Sequence, residues 1–147
     1  MSILAKAIAL ASGLHLEQVD KGGKPYILHP LRVMMRLRTD DEELMAIAVL
    51  HDVIEDCGMC AGSLRAQGMT ERVVDGVIAL THPRSESYAD FIDRVCLNQD
   101  AMRVKLEDLR DNSDITRLKG ITQKDVDRLE KYMVAFRKIQ TALGDYQ

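Results

Sequence analysis

The chain has 147 residues, of which 46% are hydrophobic and 29% charged, with a formal net charge of −3. This composition is typical of a globular protein, and the length suits a single domain, which we predict over residues 1–147. The acidic balance argues against non-specific nucleic-acid binding, which usually needs a strong basic excess. No stretch is long and apolar enough to span a membrane, so we expect a cytoplasmic protein without a membrane partner.

The three cysteines cannot all pair within the chain, which favours a reducing compartment. Cys57 and Cys60 have the spacing of zinc and thioredoxin-like sites. A structural zinc site needs two further Cys or His ligands nearby, and a thioredoxin-like site needs a βαβ unit that the sequence lacks. The sequence therefore favours neither use of the pair and leaves open whether it has a role.

Capping residues, prolines and apolar periodicity predict a series of helices and no strand. In chain order they cover about residues 2–19, 31–37, 41–58, 63–67 and 70–80, then 87 onward, 100–112 and 122 onward. The last helix carries an apolar stripe of Val126, Leu129, Met133, Phe136 and Ile139. The predicted fold class is all-α.

Residues 20–26 form a predicted loop, because they contain Gly22, Gly23 and Pro25. Its lysines, Lys21 and Lys24, could hold an anion. The alternative is a plain flexible turn.

Residues 49–56 combine four apolar side chains with His51, Asp52, Glu55 and Asp56. On a helix the four polar groups cover an arc of about 140°, so they form one dense polar edge. Carboxylates this close repel one another when desolvated, and a divalent metal relieves that repulsion. The alternative is a solvated helix face, but the long apolar run beside it favours a buried edge.

Lys105, Asp108 and Asn112 lie on one face of the helix predicted at residues 100–112, and we take Asp111 for an exposed acid. A lone His29 beside Pro30 is usually structural. Spacing alone does not bring His29, the central stretch and Asp108 together.

The chain resembles the HD-domain metal-dependent phosphohydrolases, and among them the hydrolase domain of the RelA/SpoT alarmone enzymes. The matching segments are residues 23–30, 50–56 and 104–108, and the resemblance runs from about residue 9 to 117. It implies a helical bundle around one Mn²⁺ ion. The segments that carry the resemblance imply the metal ligands His29, His51, Asp52 and Asp108.

The resemblance further implies that Glu55 and Asp56 position or deprotonate the attacking water. By the same resemblance Asn112 and Lys21 contact a small nucleotide substrate, and Lys24 and Lys105 could hold its phosphates. The family removes pyrophosphate from the 3′ position of guanosine tetra- or pentaphosphate. Neutral imidazole ligands predict that metal affinity falls below about pH 6.

Two residues depart from the family pattern. Asp20 stands where the family usually has an arginine that stacks on guanine, and Ile115 where alarmone enzymes often have threonine. An alternative is therefore an HD phosphohydrolase acting on another nucleotide or phosphorylated metabolite, and a third is a non-catalytic nucleotide-binding domain. The sequence does not determine which metal is bound. It also leaves the oligomeric state open, and a homo-oligomer is one possibility.

Overall fold

The computed structural model describes residues 1–144, and within them it contains nine α-helices. They are α1 (Ile3–Leu14), α2 (Leu28–Arg36), α3 (Glu42–Leu50), α4 (Val53–Cys57), α5 (Ala61–Ala66), α6 (Glu71–Ala79), α7 (Tyr88–Val95), α8 (Gln99–Asn112) and α9 (Gln123–Gly144). A 3₁₀ turn covers Ile115–Arg117, and an isolated bridge between Val19 and Pro25 is the only β pairing in this part of the chain. The predicted all-α class is confirmed.

Side-chain caps begin five of these helices, so local chemistry sets their starts. In each case a side-chain oxygen accepts the backbone N–H three residues on, and the caps are Ser2, Asp41, Thr70, Ser87 and Asn98. Thr122 and Asp125 bond each other's backbone N–H at the start of α9, so they form a capping box.

Helix α3 lies at the centre of the bundle. Its residues from Ala46 to Leu50 are fully buried, and it packs against α1, α2, α6 and α8. Gly76 of α6 lets the two helices approach, since a Cβ there would lie 2.5 Å from Cδ1 of Ile47. The central stretch is therefore anchored in the core.

The first helix ends at Leu14, not near Val19 as predicted. Gln18 and Asp20 instead pair with the loop that follows: Tyr26 donates its N–H to the Gln18 carbonyl, and Asp20 donates its N–H to the Lys24 carbonyl. These bonds use backbone groups that a longer helix would need.

The long helix predicted at residues 41–58 is interrupted at His51 and Asp52. Nδ1 of His51 forms a hydrogen bond with the Ala48 carbonyl at 2.6 Å, and Asp52 has φ −103° and ψ −2°. The break divides the predicted polar edge. His51 is 3% exposed, whereas Glu55 and Asp56 lie at the surface.

The apolar stripe predicted for α9 is only partly buried. Val126 and Met133 are 44% and 57% exposed, and the buried residues of this helix are Ala135 and Ile139. Among the described residues, none of the helices has the length and hydropathy needed to cross a bilayer.

Candidate metal centre

Three parts of the bundle meet at one buried cluster. His29 comes from the first turn of α2, His51 and Asp52 from the break between α3 and α4, and Asp108 from α8. His29 Nε2 lies 3.0 Å from Asp108 Oδ1, and His51 Nε2 lies 3.3 Å from the same oxygen. Helix packing thus gathers residues that are far apart in sequence.

The geometry suits a metal ion. One ligand atom from each of His29, His51 and Asp108 lies within 4.8 Å of the other two, and all three residues are buried. Asp52 Oδ2 is 3.1 Å from His51 Nε2 and 3.8 Å from His29 Nε2. Two imidazole nitrogens and two carboxylates are donors that divalent transition metals accept together.

His51 gives an independent reason to place a cation here. Its Nδ1–H donates to the Ala48 carbonyl, which leaves Nε2 with a lone pair in the neutral ring. That Nε2 is buried and has no hydrogen-bond partner in residues 1–144, although it faces two carboxylate oxygens. A lone pair facing carboxylates is favourable only with a proton or a cation between them, so these residues fit a divalent ion.

The charges within the cluster shift the pKa values of its histidines and of Asp108. Burial favours the neutral imidazole, but the neighbouring carboxylates Asp52 and Asp108 outweigh burial and hold the pKa of His51 well above its ordinary value. The pKa of His29 is raised in the same way, against burial, by its bonds to Asp108 and Asp111. Burial opposes ionisation of Asp108, yet Lys105 and both imidazoles hold its pKa well below the usual range. The raised pKa values of both imidazoles mean that the cluster favours positive charge between its carboxylates.

Two residues of α8 hold Asp108, as their shared face predicts. Lys105 Nζ lies 2.8 Å from Asp108 Oδ2, and Asn112 Nδ2 donates to Asp108 Oδ1 at 3.0 Å. The Lys105 side chain is only 14% exposed, so its ammonium is first of all the counter-charge of Asp108.

The prediction that Asp111 is an exposed acid is wrong, because this residue is 1% exposed. Its Oδ2 accepts from His29 Nδ1 at 2.7 Å, and Arg32 binds both of its oxygens. A carboxylate on the far nitrogen of a ligand histidine fixes the ring's tautomer and orientation. The three-residue spacing from Asp108 on one helix was the signal for it in the sequence.

Tyr26 is a second residue without a predicted role. Its hydroxyl donates to Asp52 Oδ2, and its ring lies 5.7 Å from that of His29. It precedes His29 by three residues, about one helical turn. Tyr26 therefore orients one carboxylate of the cluster.

The predicted water-handling pair lies one turn beyond Asp52, on the short helix α4. Glu55 accepts the backbone N–H of His82, and partial burial is the main reason why its pKa is raised. A raised pKa suits the predicted role of a general base. Asp56 accepts from Gln18 Nε2 at 3.1 Å.

The lysines of the loop at residues 20–26 are exposed, and no hydrogen bond or ion pair within residues 1–144 joins Lys21 or Lys24 to the cluster. Asp20 bonds within its own loop: Oδ1 accepts the N–H groups of Gly22 and Lys24 at 2.8 and 3.0 Å. Its carboxylate holds the turn that presents the lysines.

No protein-family model matches the chain. It is 35% identical over 136 residues to a guanosine-3′,5′-bis(diphosphate) 3′-pyrophosphohydrolase of Vibrio cholerae, covering 85% of this chain and 19% of that protein. It is 32% identical over 119 residues to the protein of the same name from Aquifex aeolicus, covering 74% and 17%. The chain thus spans about a fifth of the length of these curated relatives.

A solved structure described as a metazoan ortholog of SpoT that hydrolyses ppGpp has the same fold. The TM-score is 0.73 at 22% identity, with 97% of this chain and 92% of that one covered. The bundle and its two-histidine, two-aspartate cluster define a domain of the HD type. Within that class the comparisons support a hydrolase domain of the RelA/SpoT type.

Proposed function

We propose that this domain is a metal-dependent phosphohydrolase that removes pyrophosphate from the 3′ position of a guanosine tetra- or pentaphosphate. The observation that carries the proposal is the buried cluster of His29, His51 and Asp108 with Asp52 beside it, in which His51 Nε2 has no hydrogen-bond partner within residues 1–144. The relatives named as 3′-pyrophosphohydrolases support the reaction and its substrate class.

The cluster would hold the ion through His29, His51, Asp52 and Asp108. A bound divalent cation supplies charge neutralisation at phosphorus and makes water acidic enough to act as a nucleophile at neutral pH. We assign Mn²⁺ as that ion, on the resemblance and on a donor set of mixed nitrogen and oxygen that Mn²⁺ accepts.

The chain's own residues carry the remaining roles. Glu55 accepts the proton of the attacking water, since its raised pKa brings it closer to the working pH of a base. Asp56, the next residue on α4, orients that water. Lys105 and Asn112 both contact Asp108 and so lie beside the cluster. In this position they also bind the phosphates of the substrate.

The loop lysines complete the substrate site in this proposal. Lys21 and Lys24 are exposed on a turn whose other end leads into Tyr26 and the metal cluster. As flexible point charges they bind the phosphates of a small nucleotide. The proposed partner is that nucleotide, in a cytoplasmic protein that needs neither nucleic acid nor a membrane.

Two variants separate the roles of metal ligand and base. Asp52→Ala should remove metal binding and turnover together. Glu55→Gln should leave the metal affinity unchanged and lower kcat by about 100-fold or more, which is the usual contribution of a general base. Metal loss in Glu55→Gln would make Glu55 a ligand, and full activity of metal-loaded Asp52→Ala would remove Asp52 from the ligand set.

A second candidate is the same chemistry on another nucleotide or phosphorylated metabolite, and Asp20 favours it. An acidic side chain here cannot stack on a base as arginine does, and its carboxylate is committed to the turn. Asp20→Asn keeps an oxygen for the turn and removes the charge. Two results together would favour the second candidate. The Asp20→Asn variant would have a higher kcat/KM for guanosine tetraphosphate than the wild type, and the wild type would hydrolyse another compound of a nucleotide panel better than guanosine tetraphosphate.

A further inference from the structure

The predicted water-orienting residue, Asp56, has little support from its own helix. It is the fourth residue of α4, which has five residues, and its side chain is exposed. The hydrogen bond that its carboxylate makes within residues 1–144 comes from Gln18, in the turn after α1. The position of this carboxylate therefore depends on a different part of the chain.

Gln18 is itself held on both sides. Its backbone N–H donates to the His15 carbonyl, and its carbonyl accepts from Tyr26. Its side-chain Oε1 lies 2.8 Å from His15 Nδ1. An amide oxygen only accepts, so Nδ1 of His15 carries the proton, and the amide nitrogen of Gln18 turns toward Asp56, which also only accepts. The donors thus run in one direction, from His15 through Gln18 to Asp56.

His15 is a buried group for which the proposed chemistry has no other use. It is 2% exposed, and its Nε2 has no hydrogen-bond partner in the described part of the chain. Its ring lies 5.0 Å from that of Tyr26, whose hydroxyl donates to Asp52. One buried imidazole therefore contacts the supports of both Asp52 and Asp56. A buried polar side chain with an unpaired nitrogen is costly, which argues that it is kept for this arrangement.

We propose that Gln18, oriented by His15, is the positioning residue that aims the Asp56 carboxylate at the attacking water. This inference rests on the proposed hydrolase function. A carboxylate displaced by about 1 Å can lose up to about 100-fold in rate without any change in metal binding. The role separates Gln18 from the metal ligands and from the base.

The test is a set of variants of the full chain, loaded with Mn²⁺ and assayed for pyrophosphate release. Gln18→Leu keeps the size of the side chain and removes the donor, so we expect kcat to fall about 10- to 100-fold, with KM and metal affinity within about twofold. His15→Leu should do the same. His15→Asn, whose amide nitrogen can take the place of Nδ1–H, should recover most of the rate. Gln140→Leu, the same change at an exposed position of α9, is the matched control.

A second readout does not depend on turnover. In ¹⁵N NMR spectra, the side-chain amide signals of Gln18 should shift in Asp56→Ala and in His15→Leu, and stay in place in Gln140→Leu. Wild-type kcat in Gln18→Leu, equal losses in His15→Leu and His15→Asn, or unmoved amide signals would overturn the inference. If the amide signals shift but the protein hydrolyses no nucleotide, the contact between Gln18 and Asp56 is supported and the proposed hydrolase function is contradicted.

Discussion

Oδ2 of Asp111 lies 2.7 Å from Nδ1 of His29, on the side of the ring opposite to the metal cluster. Arg32 binds the same carboxylate through both of its oxygens. The guanidinium and the imidazole together hold the pKa of Asp111 below its usual value, although burial opposes this. Asp111 is therefore ionised and fixes the ring whose Nε2 faces Asp108 and the proposed metal site.

Replacing Asp111 with Asn tests this support. The change keeps the shape of the side chain but removes its charge, so the imidazole is held less firmly and Arg32 loses its counter-ion. We expect metal affinity to fall about 10- to 100-fold, as is usual for the outer partner of a ligand histidine. Calorimetric titration with Mn²⁺ measures it. Asp75→Asn, at an exposed position of α6, is the control, and equal affinities in the two variants would contradict the role.

Metal affinity should depend on pH at higher pH values than the sequence suggests, which predicts a fall only below about pH 6. In the metal-free protein the pKa values of His29 and His51 are raised, so the ion must displace protons even near pH 7. Affinity should keep rising from pH 6 through pH 7, by about one log unit per pH unit for each proton displaced, and level off above the raised pKa. Titrations at several pH values measure this slope, and a plateau already at pH 6.5 would contradict it.

The stability of the metal-free protein should show the opposite trend. A raised histidine pKa contributes stability below the unfolded value of about 6.5, and this contribution is lost as pH rises through the folded value. The Tm of the metal-free protein should therefore fall as pH rises above about 6.5, while the metal-loaded protein loses less. Thermal unfolding with and without chelator checks this, and a constant difference in Tm across pH would count against it.

Tyr26→Phe removes the hydroxyl that donates to Asp52 while keeping the ring between His15 and His29. Hydrogen bonds to a charged group contribute about 1.5–3 kcal/mol, so metal affinity should fall by about tenfold or more. Mn²⁺ titration measures it. An unchanged affinity would mean that Asp52 keeps its orientation without Tyr26.

Gly76 tests the packing that places the cluster. Gly76→Ala would bring a Cβ to 2.5 Å from Cδ1 of the buried Ile47 and should destabilise the fold by about 1–3 kcal/mol. In Gly62→Ala the nearest atom is Cys60 Sγ at 3.9 Å, so this control should be neutral or slightly stabilising. Urea unfolding compares the two, and equal stabilities would contradict the close approach of α3 and α6.

The sequence predicts the helices well wherever local chemistry decides. Ser2, Asp41, Thr70 and Ser87 are caps whose hydrogen bonds involve residues three positions away, and each begins a helix where expected. The contact between Asn112 and Asp108 also follows from local spacing, because the two residues are four positions apart on one helix.

Contacts between distant segments could not be predicted in this way. The break at His51 depends on a bond from its ring to Ala48 inside a packed core, and Asp111 is buried because Arg32 of another helix reaches it. The shared site of His29 and Asp108 came only from the resemblance, since no spacing joins residues 79 positions apart.

The most direct test of the proposed hydrolase is release of pyrophosphate from guanosine tetraphosphate by the Mn²⁺-loaded protein, with a panel of other nucleotides and phosphorylated metabolites alongside. We expect turnover that chelation abolishes and that Mn²⁺ restores, and that Asp52→Ala lacks. A protein that binds the metal at His29, His51, Asp52 and Asp108 and yet releases neither pyrophosphate nor phosphate from any compound of the panel would contradict the proposed hydrolase.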